Sequence, residues 1–323
     1  MILFAQQQQL EALIRLPTIM NRVRESHMLI GDDEVRYDHL ECATARALSS
    51  LPVEDYLTHP SPQFRYIGEQ VLVVRGQCGE GTFHSNGLDN IAVIEALRRL
   101  VDNSRRILQG EVSGMHCVAT IPGLWNRMMC EWPMGEYGYK LADYINVHGL
   151  AKGRILELGA GVGSASKFIR VDPKTTYIKT DLNKSILQMY NGGSILETFD
   201  INSDHIQHKD LDLVFASNVL HCAQDKKKTL ANVSKMLGPR GCLVFSEGVP
   251  EVRLGRRWCL APLFGFFDGW WDRGGFIGIE QWTELVSAAG FSIGASEVIR
   301  CGQNTLGCLF VCRKEEKLAR TTM

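Results

Sequence analysis

Arg154-Ile155-Leu156-Glu157-Leu158-Gly159-Ala160-Gly161-Val162-Gly163 is a short apolar run that ends in three alternating glycines. Its first five residues read as a strand buried on both faces, and the glycines permit a tight turn that leads into a helix and exposes bare backbone to a ligand. Downstream, strand and helix patterns alternate. Thr176–Thr180 predicts a second strand with a helix from about Asn183, Ile195–Phe199 a third strand, and Leu211–Ser217 a fourth with the helix Lys226–Leu237 behind it. Cys242–Ser246 reads as a fifth strand, Ile279–Ala289 as a helix stopped by Gly290, and Ser292–Ile299 and Leu306–Cys312 as two last strands. Such alternation implies an α/β fold: a Rossmann-like, seven-stranded, mostly parallel sheet with helices on both faces, closed by a hairpin.

Upstream of Gly153 the texture is helical. Leu10, Leu13, Ile14 and Leu16 form an apolar stripe up to Pro17, Tyr37–Leu51 carries helical spacing, and Asp89–Leu108 reads as one strongly amphipathic helix. Gly138–Val147 predicts another helix, and loops rich in Gly and Pro lie at Gly76–Gly87 and Pro122–Pro133. The expected division is a mainly helical unit over 1–148 and an α/β core over 149–323, with an aromatic insertion at 251–278.

Charge and composition exclude several classes. The chain of 323 residues has 35 Lys+Arg against 36 Asp+Glu, a net charge of −1, with no long basic run, so nucleic acid is not the expected partner. Arg98-Arg99, Arg105-Arg106 and Lys226-Lys227-Lys228 read as solvated helix faces. The ten cysteines form no CxxC pair and several sit in apolar strand patterns, the usage of a reducing compartment; no thiolate or imidazole cluster suits a metal. With no signal-peptide core and no membrane-length apolar run, the chain is read as cytoplasmic and not membrane-bound.

A glycine turn alone serves NAD, S-adenosylmethionine or a plain tight connection equally well. Its surroundings discriminate. Glu157 sits at the end of the first strand, where a carboxylate suits the ammonium of an amino-acid moiety and repels a pyrophosphate. Asp181, followed by Leu182, ends the second strand, placed to accept ribose hydroxyls; Asp200, followed by Ile201, ends the third, placed for an adenine amino group. Gly159, Gly161 and Gly163 complete the expected cofactor loop. Asn218, at the end of the fourth strand, either contacts cofactor or substrate or holds the turn. An NAD-dependent dehydrogenase would have a cleaner GxGxxG, whereas Ser164 stands at its last position.

Ile155–Gly163 resembles the first motif of class I methyltransferases. More specific are Ala216-Ser217-Asn218-Val219-Leu220-His221, Leu237-Gly238-Pro239-Arg240-Gly241-Cys242-Leu243, Leu263-Phe264-Gly265 through Gly269-Trp270-Trp271, Gln281-Trp282 and Ala289-Gly290-Phe291. Together, over roughly Gly149–Arg313, they resemble the methyltransferase domains of polyketide synthases, of both carbon- and oxygen-methylating kinds. Val162 departs from the usual Thr, and the N-terminal half matches only loosely. The resemblance implies S-adenosylmethionine as cofactor, an acyl substrate carried on a carrier protein or free, and a catalytic pair at His221 and Glu247. Neighbouring fourth and fifth strands independently bring those two ends about 5 Å apart. Glu247 would then fix the tautomer of His221, whose other nitrogen takes a proton from the acceptor.

The segment Arg253–Phe276 is too long and too aromatic for a plain connector. It reads as a pocket wall holding an acyl chain, as packing between the two halves, or both. Phe267, Trp270 and Trp271 from this segment, with Trp125, Trp132 and Tyr137 from the loop before the core, are the expected substrate-pocket residues. Carbon methylation next to a carbonyl is the leading reaction, oxygen methylation of a hydroxyl or carboxylate the alternative, and a non-catalytic binding module the competing class. No ketosynthase, acyltransferase or carrier-protein sequence lies in these residues, which suits a tailoring role. Oligomeric state is not legible.

Overall fold

Five parallel strands form most of the sheet. They are β1 (Arg154–Leu158), β2 (Thr176–Asp181), β3 (Ile195–Thr198), β4 (Leu211–Ser217) and β5 (Leu237–Gly248). A small antiparallel hairpin, β6 (Glu251–Arg253) and β7 (Arg256–Arg257), follows, and the long hairpin of β8 (Phe291–Cys301) and β9 (Asn304–Lys314) ends the described chain. The strand order is β3-β2-β1-β4-β5-β9-β8, with β9 antiparallel to β5. This computed structural model describes residues 33–78, 88–187, 194–267 and 276–314. The α/β architecture read from the sequence is thus the observed one, class I methyltransferase topology included. The stripe before Pro17 and the pair Trp270 and Trp271 lie outside the described residues.

Both faces of the sheet are covered. The helix Gly135–Val147 lays Leu141, Ala142 and Ile145 on Ile155, Leu213 and Val244. On the other face Lys226–Met236 and Ile279–Ala288 lay Leu230, Val233, Trp282 and Val286 on Leu156, Val214 and Phe245. β1 and β4 are buried on both sides because each is sandwiched between strands and between helix layers.

A third core belongs to the helices of the first half. It joins Tyr37, Leu40, Tyr56, Ile67, Val93, Leu97 and Leu100 to Trp258, Leu263, Phe264, Phe266, Phe267 and Phe276, with Ile299 and Leu306 from the closing hairpin. Arg256 ties this arrangement down: its guanidinium pairs with Asp38 at 2.7 Å and with the buried Glu41. The aromatic segment therefore shares one interior with the N-terminal helices.

Four local expectations are corrected. The glycine loop opens no regular helix; residues 161–168 form turns. Pro173 and the start of β2 follow too soon, and Asn146 pins the segment by donating to the Phe168 carbonyl at 2.9 Å and accepting from the Arg170 N–H at 2.8 Å. The helix expected over Asp89–Leu108 is two, Ala92–Asp102 and Ser104–Leu108. Asn103 breaks it, its side-chain amide donating to the Arg99 carbonyl at 2.9 Å in competition with the helix ladder. Lys226 is buried rather than solvated: it begins its helix facing inward, with Nζ donating to the Ala223 carbonyl. β5 starts at Leu237 rather than Cys242, a bulge in the register between Leu211 and Leu213 absorbing the extra residues Pro239-Arg240-Gly241.

Among the described residues no helix is long and apolar enough to cross a membrane, and no group of three or more His, Cys, Asp or Glu could hold a metal ion. All ten cysteines are free thiols.

Candidate active site

β1 lies between β2 and β4, so connections leaving the carboxyl ends of β1 and β4 diverge and open a crevice, the usual ligand site of such sheets. Gly159, Gly161 and Gly163 line its floor at φ of +58°, +51° and +73°, conformations that a side chain disfavours. The loop is fixed by the Ala160 N–H donating to the Thr180 carbonyl at 2.7 Å and by the Gly161 N–H donating to Asp181 Oδ2 at 2.9 Å. Asp181 Oδ1 accepts from the Asn183 N–H at 2.8 Å, so its carboxylate is held between two loops at the sheet edge. Leu182 beside it is largely exposed.

Glu157 is buried. Its Oε2 accepts from the Tyr177 hydroxyl at 2.5 Å. Burial pushes its pKa up to about 7, against the pull of the Tyr177 hydrogen bond and the Lys179 ammonium. Asp200 is exposed, its Oδ1 accepting from the backbone and side-chain amides of Asn202 at 2.9 and 3.0 Å, and Ile201 packs partly buried beside the helix Lys226–Met236. Tyr177 was not foreseen; β2 in parallel register with β1 puts it on the Glu157 face, diagonal to that residue.

The dyad is assembled by one left-handed residue. Asn218, at φ +56°, donates its N–H to the Ser246 carbonyl at 2.7 Å and accepts from the Gly248 N–H on its side-chain oxygen at 3.3 Å. It thereby stitches the end of β4 to that of β5 and turns the chain into the single 3-10 turn Leu220–Cys222. The turn points its N–H groups at Glu247 Oε1, which accepts from Val219 at 2.9 Å, Leu220 at 2.5 Å and His221 at 3.4 Å. Glu247 Oε2 contacts His221 Nδ1 at 2.7 Å. Glu247 is 0% exposed and His221 3%. Burial works against an imidazolium there, but Cys222 and the Glu247 carboxylate outweigh it and push His221 up to about 10.

The glycine loop and the dyad turn touch. A Cβ on Gly159 would lie 2.6 Å from both γ-carbons of Val219, so only glycine lets the two loops approach this closely. Of the expected pocket residues, Trp125 and Phe267 meet edge to face at 5.4 Å, while the buried Trp132 lies under the Arg36 guanidinium at 4.0 Å. Tyr137 is buried against Gly248 and Gly307, its hydroxyl donating to the Leu306 carbonyl at 2.7 Å. The four belong to the aromatic core shared with the N-terminal helices.

A bare glycine floor, a buried carboxylate at one side and an anchored carboxylate at the neighbouring strand end suit a ligand with a cationic amine at one end and a diol-bearing nucleoside at the other. Open space at Gly161, whose Cβ would meet nothing nearer than 3.7 Å, leaves that floor accessible.

Residues 156–243 match the family model described as a methyltransferase domain. The chain is 29% identical over 223 residues to the highly reducing polyketide synthase ALT1 of Alternaria alternata, covering 60% of this chain and 8% of that protein. It is 30% identical over 158 residues to the reducing polyketide synthase ppsB of Aspergillus oryzae, covering 42% of this chain and 6% of that one. The chain thus spans under a tenth of the length of these synthases. The fold is shared with the trans-methyltransferase CalH in complex with SAH (TM-score 0.67, 20% identity, 88% and 92% of the two chains). It is also shared with the citrinin polyketide synthase CMeT domain (TM-score 0.68, 15% identity, 98% and 97% of the two chains). The matching domain and the shared fold agree: the chain is an S-adenosylmethionine-dependent methyltransferase, and the sequence relatives it matches are polyketide synthases.

Proposed function

We propose that the chain methylates the carbon between two carbonyls of a polyketide-like acyl group, with His221 as base and Glu247 as its anchor. The observation that carries this reading is the 2.7 Å contact between His221 and a carboxylate whose other oxygen is taken up by three N–H groups. A carboxylate so held accepts the Nδ1 proton, which leaves Nε2 to take the proton from the acceptor carbon. The resulting imidazolium is stabilised where it forms, by a buried counter-charge. When bound, S-adenosylmethionine supplies an electrophilic methyl group. Glu157 would meet its ammonium, Asp181 its ribose hydroxyls and Asp200 its adenine amino group. Leu182 and Ile201 would flank the base, and Asn218 would line the floor with Gly159, Gly161 and Gly163. The aromatic side chains of Trp125, Trp132, Tyr137 and Phe267, with Trp270 and Trp271 of the same segment, would exclude water on the acceptor side. The helical first half, 1–148, is proposed as the acceptor-binding lid on the core 149–323. The acyl group would arrive as a thioester, a carrier protein being the candidate partner. Two proteins of the same fold, the citrinin polyketide synthase CMeT domain and the CurJ carbon methyltransferase, support this reading.

The test is incubation with S-adenosylmethionine and β-ketoacyl thioesters, hydroxyacyl thioesters or free polyketide acids, read by product mass and fragmentation. A methyl on the α-carbon is expected. A methyl ether or ester as the sole product would sink carbon methylation, and no transfer from bound cofactor would favour a binding module.

Three pH dependences follow. A base with a pKa of about 10 is mostly protonated at neutral pH. Initial-rate kcat/KM for the acceptor should therefore climb by about tenfold per pH unit from pH 7 and level off near that value; a flat profile over this range would remove His221 from the role of base. Folded His221 holds its proton above the unfolded value of 6.5, so its stabilising contribution is complete below 6.5 and is lost as pH rises through about 10. Glu157 behaves differently: it must be ionised to meet an ammonium, and its pKa stands at about 7. Calorimetry should show cofactor affinity weakening by up to about tenfold per pH unit below 7, a dependence that Glu157→Gln abolishes. An equal slope in that variant would place the ammonium elsewhere.

A further inference from the structure

We infer that Phe276 is a positioning residue for the dyad: its ring holds the imidazole of His221 in place and stabilises the imidazolium by its π-face. The inference rests on the acid–base reading of His221 given above. Phe276 is buried, with its ring centroid 4.7 Å from that of His221 at an interplanar angle of 44°. A cation within about 6 Å of an aromatic face is attracted by the ring quadrupole, most strongly where water is excluded. Phe276 is itself wedged: edge contacts to Trp258 and Phe264, both at 5.3 Å, fix it from the side of the helical core. Gly248, the residue after Glu247, makes room for it, since a Cβ there would stand 3.1 Å from Phe276 Cε1. One ring thus spans the aromatic core, the end of β5 and the catalytic imidazole. The histidine is held at Nδ1 by Glu247 and packed against the tilted ring of Phe276. Rotation about its side-chain bonds that preserved one contact would break the other.

The ionisable groups around the imidazole are Glu247 on β5, Cys222 on its own turn, and Tyr137, whose ring lies against Gly307, the register partner of Gly248 next to Glu247. None of them is altered by a change at position 276, so a shift in the His221 titration reports the ring.

The experiment is an NMR titration of the His221 imidazole in the whole 323-residue chain without acceptor, the resonance assigned with His221→Gln. Phe276→Leu should move the titration down by about one pH unit and lower kcat roughly tenfold, leaving cofactor affinity unchanged. Phe276→Tyr, which keeps the ring, should restore both. An electron-poor fluorinated phenylalanine at 276 keeps the shape and weakens the π-face. It should shift the titration in the same direction even where Phe276→Leu fails to fold. Coincident titrations of wild type and the fluorinated form would overturn the inference. Methyl transfer plays no part in this readout: a moving titration in a protein that methylates no acyl acceptor would support the role of Phe276 while removing the proposed function.

Discussion

Glu247→Gln is expected to lower kcat by about 10²–10⁴-fold, roughly 3–5 kcal/mol of barrier, with cofactor affinity nearly unchanged. The reason is a tautomer. Oε1 of Glu247 already accepts three N–H groups from Val219, Leu220 and His221. A glutamine must keep its oxygen there, so its NH₂ faces His221 Nδ1 at the position now occupied by Oε2. Nδ1 must then accept, the ring proton moves to Nε2, and the nitrogen that should take a proton carries one already. Stopped-flow or steady-state turnover beside isothermal titration of cofactor separates the two quantities. A variant that turns over at the wild-type rate would show that the dyad does not act as base.

Gly159→Ala should have the largest effect outside the dyad. The left-handed backbone at this position costs a side chain about 1–2 kcal/mol. The new Cβ would also press on Val219 at 2.6 Å, a clash of the kind that costs about 1–3 kcal/mol. Thermal unfolding should fall by about 5–10 °C and cofactor affinity by at least about tenfold. Gly161→Ala carries comparable backbone strain but open space, so its loss should be smaller. Adding Val219→Ala to Gly159→Ala should recover the steric share and not the backbone share; a double-mutant cycle that closes additively would show that the two loops do not press on each other. Because Val219 also presents an N–H to Glu247, the single variant should depress kcat as well as binding.

Much of this was open to sequence reasoning because central parallel strands leave a strong mark. Residues 154–158 and 211–217 have the bounds their apolar runs suggest, since burial on both faces permits nothing else. The adjacency of β4 and β5, and with it the meeting of His221 and Glu247, follows from topology. What escaped reading depends on partners far along the chain. Holding the turn is one of the two readings of Asn218 in the sequence, but its left-handed conformation becomes visible only when the Ser246 carbonyl and the Gly248 N–H are in place. The helix expected after the glycine loop fails because Asn146, in a different helix, claims its backbone groups. The aromatic segment carries an ambiguous signal, since burial under a ligand and burial under helices demand the same residues; Trp258 and Phe264 settle among helices whose sequence precedes them by well over a hundred residues.

The shared core of residues 37–137 with 252–276 has a bearing on how such proteins recombine. A chimera that exchanges only the sequence before Gly153 would set a foreign helical half against the native Trp258, Phe264 and Phe276, and the mismatch would reach the imidazole through Phe276. The unit that shares this core is dispersed along the gene, the later pieces separated from the helical half by most of the sheet and including Ile299 and Leu306 of the closing hairpin, so a change of helical half must be inherited together with them.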